Sequence, residues 1–290
     1  MEDRKRDSNK EKLRSMALIL NRADALVIGA GAGLSASAGF TYDGPRFTDN
    51  FSEFIERYGM TDMYSAGFYP FKTPEEKWAY WSRHIYVNRY DMEAGRAYKD
   101  LFQLVNDRNY FVITTNVDHQ FQLAGFDDDR IFATQGDYGL FQCKRACHKR
   151  LYENEDQIRE MVKHQKNCRI PSSLVPKCPV CGGEMEVNLR ADGFFVEDGS
   201  WHRAARRYEA FLNENMEKSI VFLELGVGMN TPGIIKYPFW KMTKGMSRAF
   251  YICINRGEAW APGEIEDRSI CVDGDIGELL NQLLLYESRL

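Results

Sequence analysis

The stretch ALVIGAGAGLSASAGFTYDGPRF, residues 25–47, decides the expected fold of this chain. Its first four residues are apolar and suit a strand that is buried on both faces. Gly29, Gly31 and Gly33 follow at once, and residues 31–36 fit the pattern G-x-G-x-x-G/A of dinucleotide-binding turns. Because glycine has no Cβ, backbone N–H groups and the next helix N-terminus can converge there on a pyrophosphate. The alternative interpretation is a tight strand-to-helix turn without a ligand.

The sequence after these glycines differs from that of an ordinary dehydrogenase. A dehydrogenase has a second apolar strand roughly 20 residues further on, which ends in an acidic residue for the ribose. Here residues 40–47 are turn-forming and aromatic, and an amphipathic region runs from Phe51 to Tyr58. The pattern predicts a dinucleotide site whose next strand is displaced by an insertion, and it argues against hydride transfer.

The composition of the chain further limits the class of protein and the kinds of partner that it can have. The 290 residues are 44% hydrophobic, which is ample for a large core, and the net charge of -4 with a pI near 5.8 predicts neither nucleic acid nor membrane as a partner. The N-terminal residues mix charges and lack the apolar run of a signal peptide, and nowhere do about 18 apolar residues follow one another. We therefore expect a cytoplasmic protein. Its seven cysteines favour reduced thiols and a metal over disulfides.

Six apolar segments alternate with helical material, which predicts an α/β fold built on a doubly wound parallel sheet. The segments are residues 25–28, 110–113, 131–134, 219–225, 249–254 and 269–272. Polar residues and glycines follow several of them, notably Asn116 and Asp118, then Gln135, and later Asn255. Ligands of such sheets bind at the carboxyl ends of the strands, so these groups are expected to face one ligand. Asn and Asp after a strand are also routine caps and turn-formers, which is the alternative.

Four cysteines have the spacing of a metal site. Cys143-x3-Cys147 and Cys178-x2-Cys181 are two chelating pairs that together predict one tetrahedral Zn²⁺. Four thiolates leave no open position for water, so the metal is expected to be structural. Cys168, His148 and His164 are substitutes that complete no better-spaced pair.

Taken in order, these motifs resemble the sirtuin family. The motifs are GAGLS from Gly31, TTNVD from Thr114, a glycine after the next strand, the two cysteine pairs, GVG from Gly226, Ile254-Asn255 and Gly274-Asp275-Ile276. The resemblance implies a Rossmann-type domain of residues 1–50, 101–142 and 189–290, a helical insertion of residues 51–100 and a zinc-binding module of residues 143–188. It also implies that NAD+ is consumed as a substrate in the cleft between them.

The resemblance assigns residues to the cofactor by matching motif. Ser35 and the glycine turn, with Ala30, Gly31, Ala32 and Gly33, would hold the phosphates. Asn116 and Asp118 would hold the nicotinamide ribose and carboxamide. The remaining cofactor contacts would be Gly226, Gly228, Asn230 and Asn255, with Gly228 and Asn255 on the adenosine half, and Asp275 with Ile276 at the adenine edge. Arg46 matches the arginine of the sirtuin proline-aspartate-phenylalanine-arginine loop only loosely.

The departures from the deacylase pattern point to a subgroup. Gln135 stands where deacylases have histidine, Thr115 replaces a glutamine, and the F-G-E segment is unrecognisable near residues 194–198. These changes resemble the class M sirtuins, the macrodomain-linked group of microbial pathogens. That resemblance implies protein ADP-ribosyl transfer, with a lipoylated relative of the glycine-cleavage H protein as acceptor and a macrodomain ADP-ribose hydrolase as a further partner.

The chemistry of glutamine supports the same choice. Deacylation needs a general base to activate a ribose hydroxyl, and glutamine has no proton to exchange near neutral pH. An ionised Asp or Glu of a partner protein needs no such base, so Asn116, Gln135 and Asp118 would act by orienting ribose, acceptor and carboxamide. Two alternatives are a divergent deacylase with His119 as its base and a non-catalytic module that binds NAD+ or ADP-ribose.

Overall fold

Six buried strands form one parallel sheet in the computed structural model, which describes residues 2–288, with side chains from residue 9 onward. The strands are β1 (Ala25–Ala30), β2 (Tyr110–Thr114), β3 (Ile131–Ala133), β7 (Ile220–Leu225), β8 (Ala249–Asn255) and β9 (Ser269–Asp273). They lie in the order β3-β2-β1-β7-β8-β9, with parallel pairing throughout. Every residue of β1, β2 and β7 is buried, as expected for apolar runs in a sheet covered on both faces. The predicted doubly wound fold is confirmed.

Helices cover both faces of this sheet. They are α1 (Glu2–Arg22), α2 (Ala32–Ser37), α6 (Arg96–Val105), α7 (Gln120–Leu123), α9 (Gly199–Asn215), α10 (Lys236–Gly245) and α11 (Ile276–Glu287). Helices α1, α6 and α11 share one apolar core with the sheet, and α9 and α10 pack on the opposite face. The sequence predicts the last of these helices over residues 277–289, and Arg289 lies outside the described residues, as do Met1 and Leu290. None of the helices within residues 2–288 has the length and apolar character to span a membrane.

The insertion between β1 and β2 is helical. It contains α3 (Gly44–Tyr58), α4 (Met63–Ala66) and α5 (Pro74–Ile85), and α5 continues into a π-helical turn at Tyr86–Tyr90. Helix α5 begins where the sequence dictates, because Pro74 occupies its first turn and the Thr73 hydroxyl accepts the Glu76 N–H at 3.3 Å. The next core strand is therefore displaced, as predicted, by a helical segment.

A second, antiparallel sheet follows β3. It consists of β4 (Gly136–Cys143), β5 (Tyr152–Glu153) and β6 (Met185–Leu189) in the order β5-β4-β6, and α8 (Glu155–His164) packs beside it. The sequence did not predict these strands, because polar residues such as Gln142 and Asn188 lie inside them. Those two side chains are buried and hydrogen-bonded to each other at 2.7 Å, which satisfies their polar groups.

The helical insertion and the second sheet share one apolar core. Trp78 of α5 packs edge-on against Phe141 of β4 with ring centroids 4.9 Å apart, and the buried Cys143 and Cys178 belong to the same cluster. The cysteine-bearing segment thus completes its core with side chains from the helices. The molecule has two lobes, a parallel sheet with its helices and a smaller lobe formed by both insertions.

One ion pair lies wholly inside the larger lobe. Glu224 of β7 and Lys236 of α10 are both fully buried and pair directly, and the Tyr251 hydroxyl donates to the same carboxylate at 2.7 Å. A buried charge without a partner is costly, since it loses its hydration without recovering an equivalent interaction.

We predict that Lys236→Ala destabilises the protein by about 3–5 kcal/mol, because it leaves the buried Glu224 side chain without its cationic partner. Urea denaturation of the two proteins measures the change. Lys241→Ala, on the exposed side of the same helix, is the matched control and should stay within about 0.5 kcal/mol of wild type. A loss below about 1 kcal/mol for Lys236→Ala would contradict the assigned role of the pair.

Candidate functional site

A cavity of about 830 Å³ opens at the carboxyl ends of β1 and β2, between the two lobes. Of the residues predicted from the sequence, six line it: Ala32, Ser35, Asn116, Asp118, Gln135 and Asn230. Residues of the loop 40–43, of segment 189–191 and of the helical insertion, such as Tyr64 and Phe68, also line it. The structure therefore brings the glycine turn, the TTNVD motif and Gln135 to one cavity, in the position expected for a doubly wound sheet.

Asn116 is held in one orientation by its own hydrogen bonds. Its side-chain Nδ2 donates to the Gly31 carbonyl and to the Tyr98 hydroxyl, both at 3.0 Å. The Thr114 hydroxyl accepts the Asn116 backbone N–H at 3.0 Å and itself donates to the Ala30 carbonyl at 3.0 Å. Because both amide hydrogens are engaged inside the protein, the Oδ1 atom is the group that Asn116 offers to the cavity. It can accept a hydrogen bond from a hydroxyl.

Ser35 and Asp118 belong to the same network. The Tyr98 hydroxyl accepts from Asn116 and lies 2.8 Å from the Ser35 Oγ, which donates to Asp118 Oδ2 at 2.6 Å. Burial raises the pKa of Asp118 above its ordinary value, while the bonds from Ser35 and from the Gln120 N–H hold it down. Burial also raises the pKa of Tyr98 far above its usual range, so its hydroxyl stays protonated.

The glycines of the turn have a different environment. The Gly33 N–H donates to the Gly226 carbonyl at 3.0 Å, and a Cβ on Gly33 would lie 2.7 Å from the Gly226 Cα. Gly226 has φ +64, and a Cβ there would lie 2.5 Å from the Leu34 nitrogen. The close approach of two loops therefore requires glycine at these positions. Neither Gly31 nor Gly33 lines the cavity, and their contact with phosphates stays a prediction.

The residues predicted for the adenosine half lie beyond the cavity. Gly228 and Asn255 are not among its lining residues, nor are Asp275 and Ile276. The Asn255 side chain donates to the Val227 carbonyl at 3.0 Å, and Asp275 caps α11 by accepting the Glu278 N–H at 3.1 Å. These side chains fix the loops after β8 and β9, and their contact with adenosine stays a prediction.

Arg46 braces the loop that forms one wall of the cavity. Its guanidinium donates to the Thr41 carbonyl at 3.0 Å, to Asn88 Oδ1 at 2.7 Å and to the Val87 carbonyl at 2.9 Å. It does not line the cavity itself. The structure thus gives Arg46 internal partners, and a contact with the cofactor stays a prediction.

The histidine considered as an alternative base lies outside the cavity. His119 Nδ1 is 3.2 Å from Asp137 Oδ2, and Arg89 holds the other oxygen of that carboxylate at 3.0 Å. Gln135 lines the cavity, whereas no histidine does among the described residues. The arrangement offers no imidazole to activate a ribose hydroxyl.

Four residues of the site were missed by the sequence analysis: Tyr42, Tyr138 and Arg190 line the cavity, and Tyr98 lies behind its wall, bonded to Ser35 and Asn116. Tyr98 looks like an apolar position of an amphipathic helix, and Tyr42 and Tyr138 lie in segments without periodicity. Arg190 follows β6 and stacks on Phe195, with its guanidinium carbon 4.3 Å from the ring centroid. The sequence contains no local signal for these residues, because their role depends on contacts between distant segments.

The four predicted metal ligands converge. The sulfur atoms of Cys143, Cys147, Cys178 and Cys181 all lie within 4.8 Å of one another, and no other group of this kind occurs within the described part of the chain. Sulfur pairs bridge the two chelating turns, with Cys143 and Cys181 at 3.8 Å and Cys147 and Cys178 at 3.7 Å. Four thiolates at this spacing fit one tetrahedral Zn²⁺ with no open position, which is a structural site.

We predict that Cys178→Ser releases the zinc and lowers the melting temperature, because a hydroxyl replaces one of four thiolates and the small lobe loses its cross-link. Metal analysis of the purified protein, with calorimetry, measures both effects. Cys168→Ser alters a buried cysteine outside the group and should keep one zinc per chain. An unchanged metal content in Cys178→Ser would show that the ligand set is wrong.

Solved sirtuin structures share this architecture. Sir2Tm bound to a propionylated peptide superposes with a TM-score of 0.63 at 20% identity, over 95% of this chain and 98% of that one. A Sir2 homologue in complex with NAD superposes with a TM-score of 0.60 at 18% identity, over 95% and 93% of the two chains. The protein therefore has the sirtuin fold.

Relatives in sequence show the family. A protein ADP-ribosyltransferase of Staphylococcus aureus (strain Mu50) is 40% identical over 283 residues, which cover 97% of this chain and 90% of that protein. A "Probable bifunctional ADP-ribose hydrolase/ADP-ribosyltransferase" of Fusarium oxysporum f. sp. cubense is 31% identical, over 91% of this chain and 46% of that protein. No protein-family model matches the chain. By these likenesses the chain belongs to the sirtuin-fold protein ADP-ribosyltransferases.

Proposed function

We propose that this protein is an NAD+-dependent protein mono-ADP-ribosyltransferase. The observation that carries the proposal is the set of residues that line the cavity. Asn116, Asp118 and Gln135 are among them, and no histidine of the described residues is. The activity in the names of both relatives supports the proposal, and so does the NAD complex of a protein with the same fold.

The proposed reaction needs orientation more than proton transfer. The bond between the nicotinamide nitrogen and the ribose C1′ breaks, and its electron pair leaves with nicotinamide. A carboxylate oxygen of the acceptor protein forms the new bond to C1′, so no proton has to be removed. Asn116 Oδ1 would accept from a ribose hydroxyl, Gln135 would orient ribose and acceptor, and Asp118 would hold the carboxamide. Holding the reactants in this geometry is the main contribution to the rate.

The finer assignments belong to the same proposal. The acceptor is a lipoylated carrier that resembles the glycine-cleavage H protein, and a macrodomain ADP-ribose hydrolase reverses the modification. The pairing of hydrolase and transferase in the name of the Fusarium relative supports this partner. The division into a dinucleotide-binding domain, a helical insertion and a zinc module also remains our proposal. Strand β4 begins at Gly136 and so crosses the boundary proposed at residue 143.

An assay with labelled NAD+ distinguishes the three candidate functions: transferase, deacylase and binding module. The protein is incubated with NAD+ labelled in the adenosine half, with the lipoylated carrier, and in parallel with an acetylated lysine peptide. Label on the carrier supports the transferase. Acetyl loss from the peptide would establish the deacylase instead, and tight NAD+ binding with neither product would establish a binding module. The unlipoylated carrier is the matched control for the acceptor and should take up far less label.

We predict that Asn116→Ala lowers the rate of transfer at least roughly a hundredfold, because the ribose loses the acceptor that orients it. Initial rates with labelled NAD+ measure the loss, and the melting temperature checks the fold. Asn106→Ala changes an exposed asparagine at the end of α6 and should keep the wild-type rate. Near-normal turnover in Asn116→Ala would remove this residue from the proposed mechanism.

A further inference from the structure

A second hydrogen-bonded network includes Tyr42 and Tyr138, which line the cavity. The Tyr80 hydroxyl donates to the Met63 carbonyl at 2.6 Å and lies 3.2 Å from His84 Nδ1. On the other side of the imidazole, His84 Nε2 lies 2.9 Å from the Tyr138 hydroxyl, which lies 2.8 Å from the Tyr42 hydroxyl. Tyr80, His84 and Tyr138 are at most 5% exposed. Tyr42 closes the circuit, because its backbone carbonyl accepts the Met63 N–H at 2.8 Å.

The imidazole at the centre of this network is neutral. Burial, with a smaller contribution from the positive charge of the nearby Arg46, lowers the pKa of His84 to about 3. A neutral imidazole carries one N–H and one bare nitrogen, so it donates on one side and accepts on the other. Burial raises the pKa of Tyr42 to about 12, and that of Tyr138 above its usual range, so both hydroxyls keep their protons.

One end of the network fixes the direction of every hydrogen bond. The single proton of the Tyr80 hydroxyl goes to the Met63 carbonyl, which can only accept. The Tyr80 oxygen therefore accepts from His84 Nδ1–H, and Nε2 is bare. Tyr138 must then donate to Nε2, and Tyr42 must donate to Tyr138. The Tyr42 oxygen is left with lone pairs only.

Tyr42 occupies a wall that two cavities share. It lines the 830 Å³ cavity and also an apolar cavity of about 250 Å³ between α5 and β6. Asp118 lines the larger cavity as well, and its negative charge contributes to the raised pKa of Tyr42. The backbone N–H of Tyr138 donates to the Val117 carbonyl at 3.1 Å, which ties the network to the segment that carries Asn116 and Asp118.

We propose that Tyr42 is a substrate-binding residue whose hydroxyl oxygen accepts a hydrogen bond from the carboxamide NH2 of the nicotinamide, and that His84 and Tyr80 are positioning residues that keep it an acceptor. This inference rests on the proposed function, since it requires NAD+ in the cavity. Asp118 and Tyr42 then form an end of the cavity that takes hydrogen-bond donors. A nicotinate carboxylate has no donor and is rejected there.

The test compares the affinities for NAD+ and for nicotinic acid adenine dinucleotide by titration calorimetry, on the full chain with its zinc. Wild type should prefer NAD+. Tyr42→Phe should weaken NAD+ binding roughly three- to tenfold, the effect of one lost neutral hydrogen bond, and should raise KM more than it lowers kcat. Equal NAD+ affinity in Tyr42→Phe and wild type would overturn the inference while leaving the proposed function intact.

Tyr80→Phe tests the positioning role, because it changes no group that lines either cavity. Without the Tyr80 oxygen, the imidazole proton can move to Nε2, and Tyr42 becomes able to donate. The preference for NAD+ over the nicotinate analogue should then fall several-fold. Tyr58→Phe is the matched control, since the Tyr58 hydroxyl lies in the same aromatic cluster without a hydrogen-bond partner, and it should keep the wild-type preference. A wild-type preference in Tyr80→Phe would overturn the positioning role.

Nuclear magnetic resonance gives a readout that does not depend on NAD+. In protein labelled with ¹⁵N-histidine, His84 should show the neutral Nδ1–H tautomer from pH 6 to 8, and His84→Gln identifies its signals. An Nε2–H tautomer would overturn the direction of the network. Failure of wild type to bind NAD+, with the tautomer as expected, would overturn the proposed function and with it the role of Tyr42 in binding.

Discussion

The close backbone contact between Gly33 and Gly226 sets the geometry at the carboxyl edge of the parallel sheet. It joins the turn after β1 to the turn after β7 at a distance that excludes any side chain. The contact fixes the position of helix α2, and this helix places the Ser35 hydroxyl within hydrogen-bond distance of Asp118. Tyr98 and Asn116 then follow from the same geometry, since each bonds to a group that this contact places. The network at the cavity is therefore built on a steric constraint of the backbone.

The opposite wall of the cavity depends on the small lobe. Strand β4 begins directly after Gln135 and ends at Cys143, one of the four metal ligands, so one strand joins the cavity to the zinc site. The same strand places Tyr138 against His84 and Tyr42. The helical insertion and the cysteine segment share a closely packed apolar core. A change in the packing of either segment therefore displaces side chains at this wall. The metal thus supports the cavity through structure, at a distance from the chemistry.

The sequence predicts those parts of the molecule whose signal is local. Apolar runs such as residues 25–28 mark strands that are buried on both faces, and paired cysteines encode chelation in their spacing. Strands β4 and β6 give no such signal, because their polar residues are satisfied only by partners far along the chain. Ser35 illustrates the same limit within the site: its phosphate contact stays a prediction, and the motif gives no sign that its hydroxyl donates to Asp118. The sequence around Tyr98 and Tyr42 does not reveal the hydrogen-bond partners of their hydroxyls, because those partners lie far away in the chain.

Three polar groups at one end of the cavity share a property that bears on the proposed reaction. Both amide hydrogens of Asn116 are engaged inside the protein, and the Ser35 hydroxyl donates to Asp118. In the direction inferred above for the second network, the Tyr42 hydroxyl donates to Tyr138. What faces the cavity at this end is a set of oxygen lone pairs, already oriented. Acceptor groups that internal hydrogen bonds already hold in place are suited to orienting a ligand. The site also suits a substrate that brings hydroxyl and amide donors together with a positive charge on the departing ring. These acceptor groups include no histidine that could act as a general base near neutral pH. They can, however, hold a glycosidic bond in line with an acceptor that is already ionised.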